Sequence, residues 1–438
     1  MMDWTLSIAI LVGGLLVSMG IGLPVALGFF MINVIGVFLF MGGVRGIDQM
    51  VSNATMAVST YSLAPVPLFL VMGALFFHSG LARRVLDGID VLIGRLPARL
   101  SYLTVTSGTV FAALSGSSLA NTGMLGSLMV PEMMKRGYKR HMAIGPILGS
   151  GGLAVIIPPS ALAVLFGSLA RVDIGGLLVA GLLPGVILAI FYGILIFIQA
   201  KIDPDAAPSY EYTPLPLGQR IKIFCRDILP MVLIIVAVVG SILTGFATPT
   251  ESGALGILAV AVLALIFRAL DFKAVREAIA DSARVTGMTF LLITASTTFA
   301  QLLAFSGASS GLVRWATSLE MGPTETLMVM MLILLVLGMF MDQVSMMLIT
   351  LPIFVPLAQH LGYDMIWWGL IMLLMLEVSF TTPPFGLLLF VMHGVSPPGT
   401  TLPQVARAAL PYIVCVFLLI ALVIMVPSLA TVVPNMIM

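Results

Sequence analysis

Long apolar runs broken by short polar stretches fill the chain from Trp4 to Pro427. About 20 apolar residues carry a helix across a bilayer. The pattern predicts spanning helices over residues 4–20, 22–41, 59–79 and 175–200, and again over 226–245, 250–268, 285–305 and 403–427. Segments 81–89 and 271–283 are amphipathic and too charged to span, which suits the membrane interface. Two further stretches, 141–169 and 363–392, each enclose a double proline: Ile156-Ile157-Pro158-Pro159-Ser160 and Thr381-Thr382-Pro383-Pro384-Phe385. Proline removes a backbone donor and clashes with the preceding turn, so each helix is expected to break in mid-membrane. Carbonyls freed at that depth survive only inside protein or beside a watery cavity. Interrupted helices at matching places of two halves mark the binding site of a secondary transporter.

Residues 99–135 fit two full crossings poorly. Their centre, Ser115-Gly116-Ser117-Ser118-Leu119-Ala120-Asn121-Thr122, is small and polar, and Arg99 and Lys135-Arg136 flank the two ends. A re-entrant hairpin with its tip near the midplane satisfies this pattern; a serine-rich helix contact in a bundle is the other reading. Residues 324–360 form the counterpart, with a tip near Gly338-Met339-Phe340-Met341-Asp342. The polar, proline-rich stretch after residue 200 makes 201–225 a cytoplasmic linker between a first half, 1–200, and a second, 226–438.

A shift of 225 residues aligns the halves, pairing Pro24 with Pro249, Pro131 with Pro356, Gly137-Tyr138 with Gly362-Tyr363, and Pro158-Pro159 with Pro383-Pro384. About 0.8 proline matches would arise by chance in such an overlap, against the four pairs found. With the N-terminus outside, five crossings and one hairpin per half invert the second half. All Lys and Arg residues except Arg45, Arg171 and Arg314 then fall inside, which is the bias that orients membrane proteins. The expected fold is an all-α polytopic membrane protein built as an inverted repeat, with two re-entrant hairpins and two broken helices.

Composition agrees: of 438 residues 60% are hydrophobic and 9% charged, where a soluble domain carries about 25% charged residues. The net charge of +1 suggests no nucleic-acid partner, and the lipid bilayer is the chain's main environment. Cys225 and Cys415 are too few for a disulfide framework or a thiolate metal site. The start, Met1-Met2-Asp3-Trp4, lacks the basic region of a signal peptide, so the first run reads as a retained helix. Gly149-Ser150-Gly151-Gly152 is no phosphate-binding loop, and no hydrolase or zinc motif occurs, so an enzyme is not expected.

Hairpin tips and helix breaks offer carbonyls and hydroxyls for a cation and helix N-termini for an anion. One constellation sets Ser115, Gly116, Ser117, Ser118 and Asn121 against Gly152, Val155, Ile157 and Ser160; the other sets Gly338 and Asp342 against Thr381, Thr382 and Pro384. Each of these small residues could equally be a helix contact. Three carboxylates sit in apolar runs, where charge is costly unless used or paired. Asp342, at a hairpin tip, suits a substrate or a coupling ion. Glu251 stands where a helix cap would, and Glu377 either stabilises the second break or relays a proton.

These residues resemble the large membrane subunit (DctM-like) of tripartite ATP-independent periplasmic (TRAP) transporters. The matching stretches are Ala247-Thr248-Pro249-Thr250-Glu251, Gly338-Met339-Phe340-Met341-Asp342, Pro352-Ile353-Phe354-Val355-Pro356 and Thr382-Pro383-Pro384-Phe385-Gly386, and the likeness covers essentially the whole chain. It implies an elevator-type fold, Na⁺ coupling, a small four-helix TRAP membrane subunit, a periplasmic substrate-binding protein and a small organic anion as cargo, in a bacterial inner membrane. It further implies sodium at Ser115, Gly152, Val155 and Ile157 of the first half. Ser117, Gly338, Thr381 and Thr382 complete the candidate cation ligands, and substrate contacts are implied at Ser115, Ser160 and Asp342. The core holds no buried arginine to clamp a carboxylate; backbone amides and helix dipoles, or Arg314 from outside, would have to serve. A stand-alone carboxylate carrier of the same superfamily is the alternative.

Overall fold

A computed structural model describes residues 3–94, 96–208, 215–318, 321–383 and 386–437. Among these residues the chain is helical throughout. In order, the first half holds α1 (Trp4–Gly20), α2 (Val25–Phe40), α3 (Val44–Val58), α4 (Pro65–His78), α5 (Leu81–Ile93), α6 (Arg99–Ser115), α7 (Ser118–Lys135), α8 (Arg140–Ile156), α9 (Ala161–Ala170), α10 (Ile174–Ala180) and α11 (Leu182–Ile202). The second half holds α12 (Leu217–Leu243), α13 (Pro249–Ile266), α14 (Phe272–Phe305), α15 (Ala308–Ser318), α16 (Pro323–Gly338), α17 (Gln343–His360), α18 (Met365–Thr381), α19 (Leu387–Val395), α20 (Leu402–Met425) and α21 (Ser428–Ile437). Seven helices among the described residues are long and apolar enough to cross a membrane, and the bent pair α8–α9 makes eight. The chain is a multi-pass membrane protein. Its outer surface carries exposed apolar side chains such as Leu27, Phe38, Leu258, Val414 and Leu418, as a lipid-facing surface does.

Several boundaries differ from the sequence expectation; the 59–79 span starts as α4 at Pro65, and the 175–200 span divides at Gly181 into α10 and α11. Residues 44–58, left between two expected spans, form α3, because their few apolar residues recur at helical spacing rather than in a run. Segments 271–283 and 285–305 are one 34-residue helix, since no proline interrupts residues 272–305 and the charged first turns simply emerge from the apolar part. The second half starts its first helix at Leu217 rather than 226, shortening the linker, whose residues 209–214 lie outside the described residues. A terminal helix, α21, follows Pro427.

Two packed groups position the site. α2, α3 and α4 gather around α14, where Phe29 meets Phe299 edge-on at 5.2 Å, and α13 packs on the same α4. α6–α9 and α16–α20 form the other group, the most buried part of the molecule: every residue of α8 from Met142 to Ile156 and of α18 from Trp368 to Thr381 is buried. Phe166 of α9 packs on Trp368 of α18 with ring centroids 5.6 Å apart, tying the two broken segments together. The groups touch where α4 meets α6 and α9, and where α14 meets α17. At the charged end of the molecule Arg84 of α5 pairs with Asp227 and lies 3.8 Å over the Phe267 ring. Arg99, almost fully buried, pairs with Asp90. Burial pushes the Asp90 carboxyl above the usual carboxylate range, while Arg99 pulls it back.

Candidate functional site

Each double-proline segment interrupts its helix. α8 ends at Ile156 and α9 resumes at Ala161 after a bend of 41°, with a cis peptide between Pro158 and Pro159. Pro158 and Pro159 have no N–H, so the carbonyls four residues earlier, at Ala154 and Val155, receive no helical bond from them. Ser160, fully buried, restarts the helix by accepting from the Ala163 N–H at 3.2 Å. The second interruption separates α18 from α19; Pro384 and Phe385 lie outside the described residues. Thr381 and Thr382 donate their hydroxyls to the Glu377 and Val378 carbonyls at 2.7 and 2.6 Å.

Two helical hairpins bring their turns to these interruptions. The first turns at Gly116, whose left-handed backbone (φ +56°) suits glycine. A Cβ there would sit 3.0 Å from the Pro159 carbonyl oxygen and 3.2 Å from the Ala161 nitrogen, so the tip lies directly against the first break. Ser117 caps α7 through the Ala120 N–H, and Ser115 is buried behind it. The second turn ends at Asp342, whose carboxylate caps α17 by accepting from the Val344 and Ser345 N–H groups, both at 3.0 Å, and from the Ser345 hydroxyl. Gly338 has no room for a side chain, because a Cβ would fall 2.1 Å from Ser379 Oγ of α18.

The two constellations meet at Glu377. Its Oε2 accepts from Ser118 Oγ of the first hairpin at 2.9 Å and from Gln343 Nε2 of the second at 2.7 Å. Its Oε1 lies where a Gly152 Cβ would be only 2.9 Å away, so the missing side chain of Gly152 makes room for the carboxylate. Glu377 is buried, and that oxygen has no hydrogen-bond partner among the described residues. Gly152, Glu377 and Thr381 line one narrow cavity with Tyr192 and Tyr412. Ser115 and Ser117 instead line a cavity of about 140 Å³ beside His78 and Asp281, which are themselves 2.9 Å apart.

Sequence reasoning named Gly152 but missed Gln343, and gave Ser118 no role of its own. The signal was present: the 225-residue shift pairs Ser118 with Gln343 and Gly152 with Glu377. Asn121, grouped with the site in the sequence, is a brace between helices, donating to the Gly108 and Ser150 carbonyls at 3.1 and 3.2 Å. Glu251 is a helix cap, in reciprocal hydrogen bonds with Thr248. The remaining donor set at the first tip and break consists of hydroxyl and carbonyl oxygens, the chemistry a hard cation takes. Among the described residues no group of three His, Cys, Asp or Glu side chains could hold a metal ion.

A family-wide sequence profile described as the tripartite ATP-independent periplasmic transporter, DctM component, matches residues 12–429. The chain belongs to the DctM family. The C4-dicarboxylate TRAP transporter large permease protein DctM of Pseudomonas aeruginosa is 31% identical over 381 residues, 86% of each chain. The ectoine TRAP transporter large permease protein TeaC of Halomonas elongata is 26% identical, covering 97% of each. In fold, the DctM chain is similar to the Neisseria gonorrhoeae MtrF structure, with a TM-score of 0.61 at 13% identity over 89% of this chain and 84% of that one. Its relatives are transport permeases, not enzymes.

Proposed function

We propose that this DctM permease is the large membrane subunit of a Na⁺-coupled importer that carries a small organic acid from the periplasm to the cytoplasm across a bacterial inner membrane. Its partners in this reading are a small four-helix membrane subunit and a periplasmic substrate-binding protein. The observation that carries it is the meeting of both hairpin turns and a broken helix from each half at one buried point, through Ser118, Gln343, Glu377 and Gly152. These four residues fall into two pairs under the 225-residue shift, which favours an inverted repeat folded about that point. The group that contains them, α6–α9 and α16–α20, would move as one body against the α2–α4, α13 and α14 scaffold, an elevator.

In this mechanism Na⁺ is a coupling ion held by oxygen alone. Ser115, Ser117 and the backbone of Gly152, Val155 and Ile157 would hold it at the first tip, and Gly338, Thr381 and Thr382 would serve the second. The substrate would take Ser115, Ser160 and Asp342. The solute differs among relatives, one named for C4-dicarboxylate and another for ectoine, so its identity follows from the cognate binding protein.

Reconstitution with the small subunit and the loaded binding protein tests the reading. Uptake should require an inward Na⁺ gradient, and Ser115→Ala should shift the Na⁺ dependence to higher concentration, because a hydroxyl is replaced by a group with nothing to offer a hard cation. Uptake that runs equally well with K⁺ in place of Na⁺ would remove the coupling.

A further inference from the structure

The largest of the cavities described here is not at the hairpin turns. A space of about 730 Å³ lies between the two packed groups, with Asn53 of α3 and Gln301 of α14 on one wall and Arg171, Leu351, Val355 and Gln359 on the other. Its volume falls within the roughly 300–1,000 Å³ that small-molecule sites occupy. α8 begins at Arg140 and α9 ends just before Arg171, so the two arginines stand at opposite ends of one bent crossing. Arg171, and the cavity it lines, therefore lie at the end of that crossing away from the basic cluster of Lys135, Lys139 and Arg140.

Arg171 is the one charged residue of its lining among the described residues. Arg171 is an exposed residue that lines the cavity, and among the described residues its side chain forms no ion pair and no hydrogen bond. The nearest acid in sequence, Asp173, is already engaged in accepting from the Gly176 N–H at the start of α10. The backbone at Arg171 is left-handed, φ +56°, closing α9 in a conformation that glycine adopts freely and an arginine does not. The position thus carries backbone strain, and no described residue bonds its side chain. Opposite it, Asn53 and Gln301 are locked amide to amide at 2.8 and 2.9 Å, and the Gln359 side chain makes no hydrogen bond among the described residues. Leu351 and Val355 add an apolar patch.

We infer that this cavity is a receiving site for a small organic carboxylate, with Arg171 as its charge partner. The inference rests on the importer reading for the side on which the cavity lies. A planar guanidinium with free donors takes a carboxylate through two parallel hydrogen bonds. Leu351 and Val355 then cover the carbon skeleton, and Gln359 and the Asn53–Gln301 edge meet its hydroxyl or second polar end. This places a carboxylate-binding group outside the hairpin turns, at Arg171 rather than at the Arg314 that the sequence offered, and it sets the first contact at a boundary shared by both packed groups.

The assembled complex in nanodiscs provides the test, using phenylglyoxal, an arginine reagent, with peptide mass spectrometry read at Arg171. Succinate, pyruvate or gluconate should slow modification of Arg171 several-fold, and the neutral diamide of succinate should not. The carboxylate that protects should also raise the melting temperature of the wild type, less so that of Arg171→Lys, and not at all that of Arg171→Gln. Equal modification with and without all three acids, or a melting shift undiminished in Arg171→Gln, would overturn the site. Both readings are equilibrium binding in the absence of Na⁺, so failure here leaves the uptake experiment untouched, and failure of Na⁺-driven uptake leaves this binding result standing.

Discussion

Three carboxylates within apolar runs look alike in the sequence and differ in what they touch. Glu251 closes a capping box at the start of α13, an ordinary helix terminus. Asp342 caps α17 as well, yet does so at the hairpin turn beside Gln343. Asparagine caps a helix about as well as aspartate, so Asp342→Asn should keep detergent stability within about 1 kcal/mol of the wild type. Uptake should fall steeply if the charge serves the ion or the solute, and near-normal uptake by a stable variant would remove Asp342 from the transport site. Glu377 is a different case, since it is the shared acceptor of Ser118 and Gln343. Glu377→Ala strands the buried Ser118 hydroxyl and the half-buried Gln343 amide and should cost about 2–4 kcal/mol. Glu377→Gln keeps an acceptor oxygen for both and should lose less than half of that. Melting curves of the two variants, measured on the same preparation, decide whether the carboxylate joins the hairpins; equal loss in both would mean that it does not.

At the level of elements, long apolar runs with clear ends were legible: α13 and α20 lie within two residues of the expected limits, α4 and α11 end within two residues of theirs but start six and seven residues later, and the double prolines marked the first break correctly. What the pattern concealed were helices whose information lies in spacing or in the absence of a stop, α3 and the continuous α14. The site was half legible for a similar reason. Prolines and glycines announce themselves singly, whereas the Ser118–Glu377–Gln343 link spans 259 and 34 positions of sequence and joins residue types that have no motif of their own. Gly181 was not singled out at all. It separates α10 from α11, and a Cβ there would lie 1.9 Å from the Ile156 carbonyl oxygen, at the very end of α8. Because backbone, unlike a flexible side chain, cannot turn aside, Gly181→Ala should displace the first break and cost about 3 kcal/mol or more. A melting temperature within a degree or two of the wild type would show that the break tolerates movement that its close packing does not suggest.

For the whole molecule, the question is whether the buried group travels against its scaffold or opens only locally. The two bodies share a direct polar contact that can be locked. Ser62, ahead of α4, and Ser168 of α9 have their hydroxyl oxygens 2.6 Å apart. Side chains that close have Cβ atoms near the separation of about 3.5–4.5 Å that a disulfide needs. The chain's own cysteines, exposed Cys225 and buried Cys415, would first be replaced so that only the new pair can react. Oxidation of Ser62→Cys/Ser168→Cys then clamps α9, and with it Ser160 and the first break, to the scaffold. If the group moves as a body, oxidised proteoliposomes should lose uptake, and a reductant should restore it. The reduced double variant and each oxidised single variant should transport normally, which separates the clamp from damage by substitution or by oxidant. Should the fully oxidised pair still transport at the reduced rate, α9 need not leave α4 during the cycle. The elevator would then give way to a local gate at the hairpin turns, around a scaffold contact that never breaks.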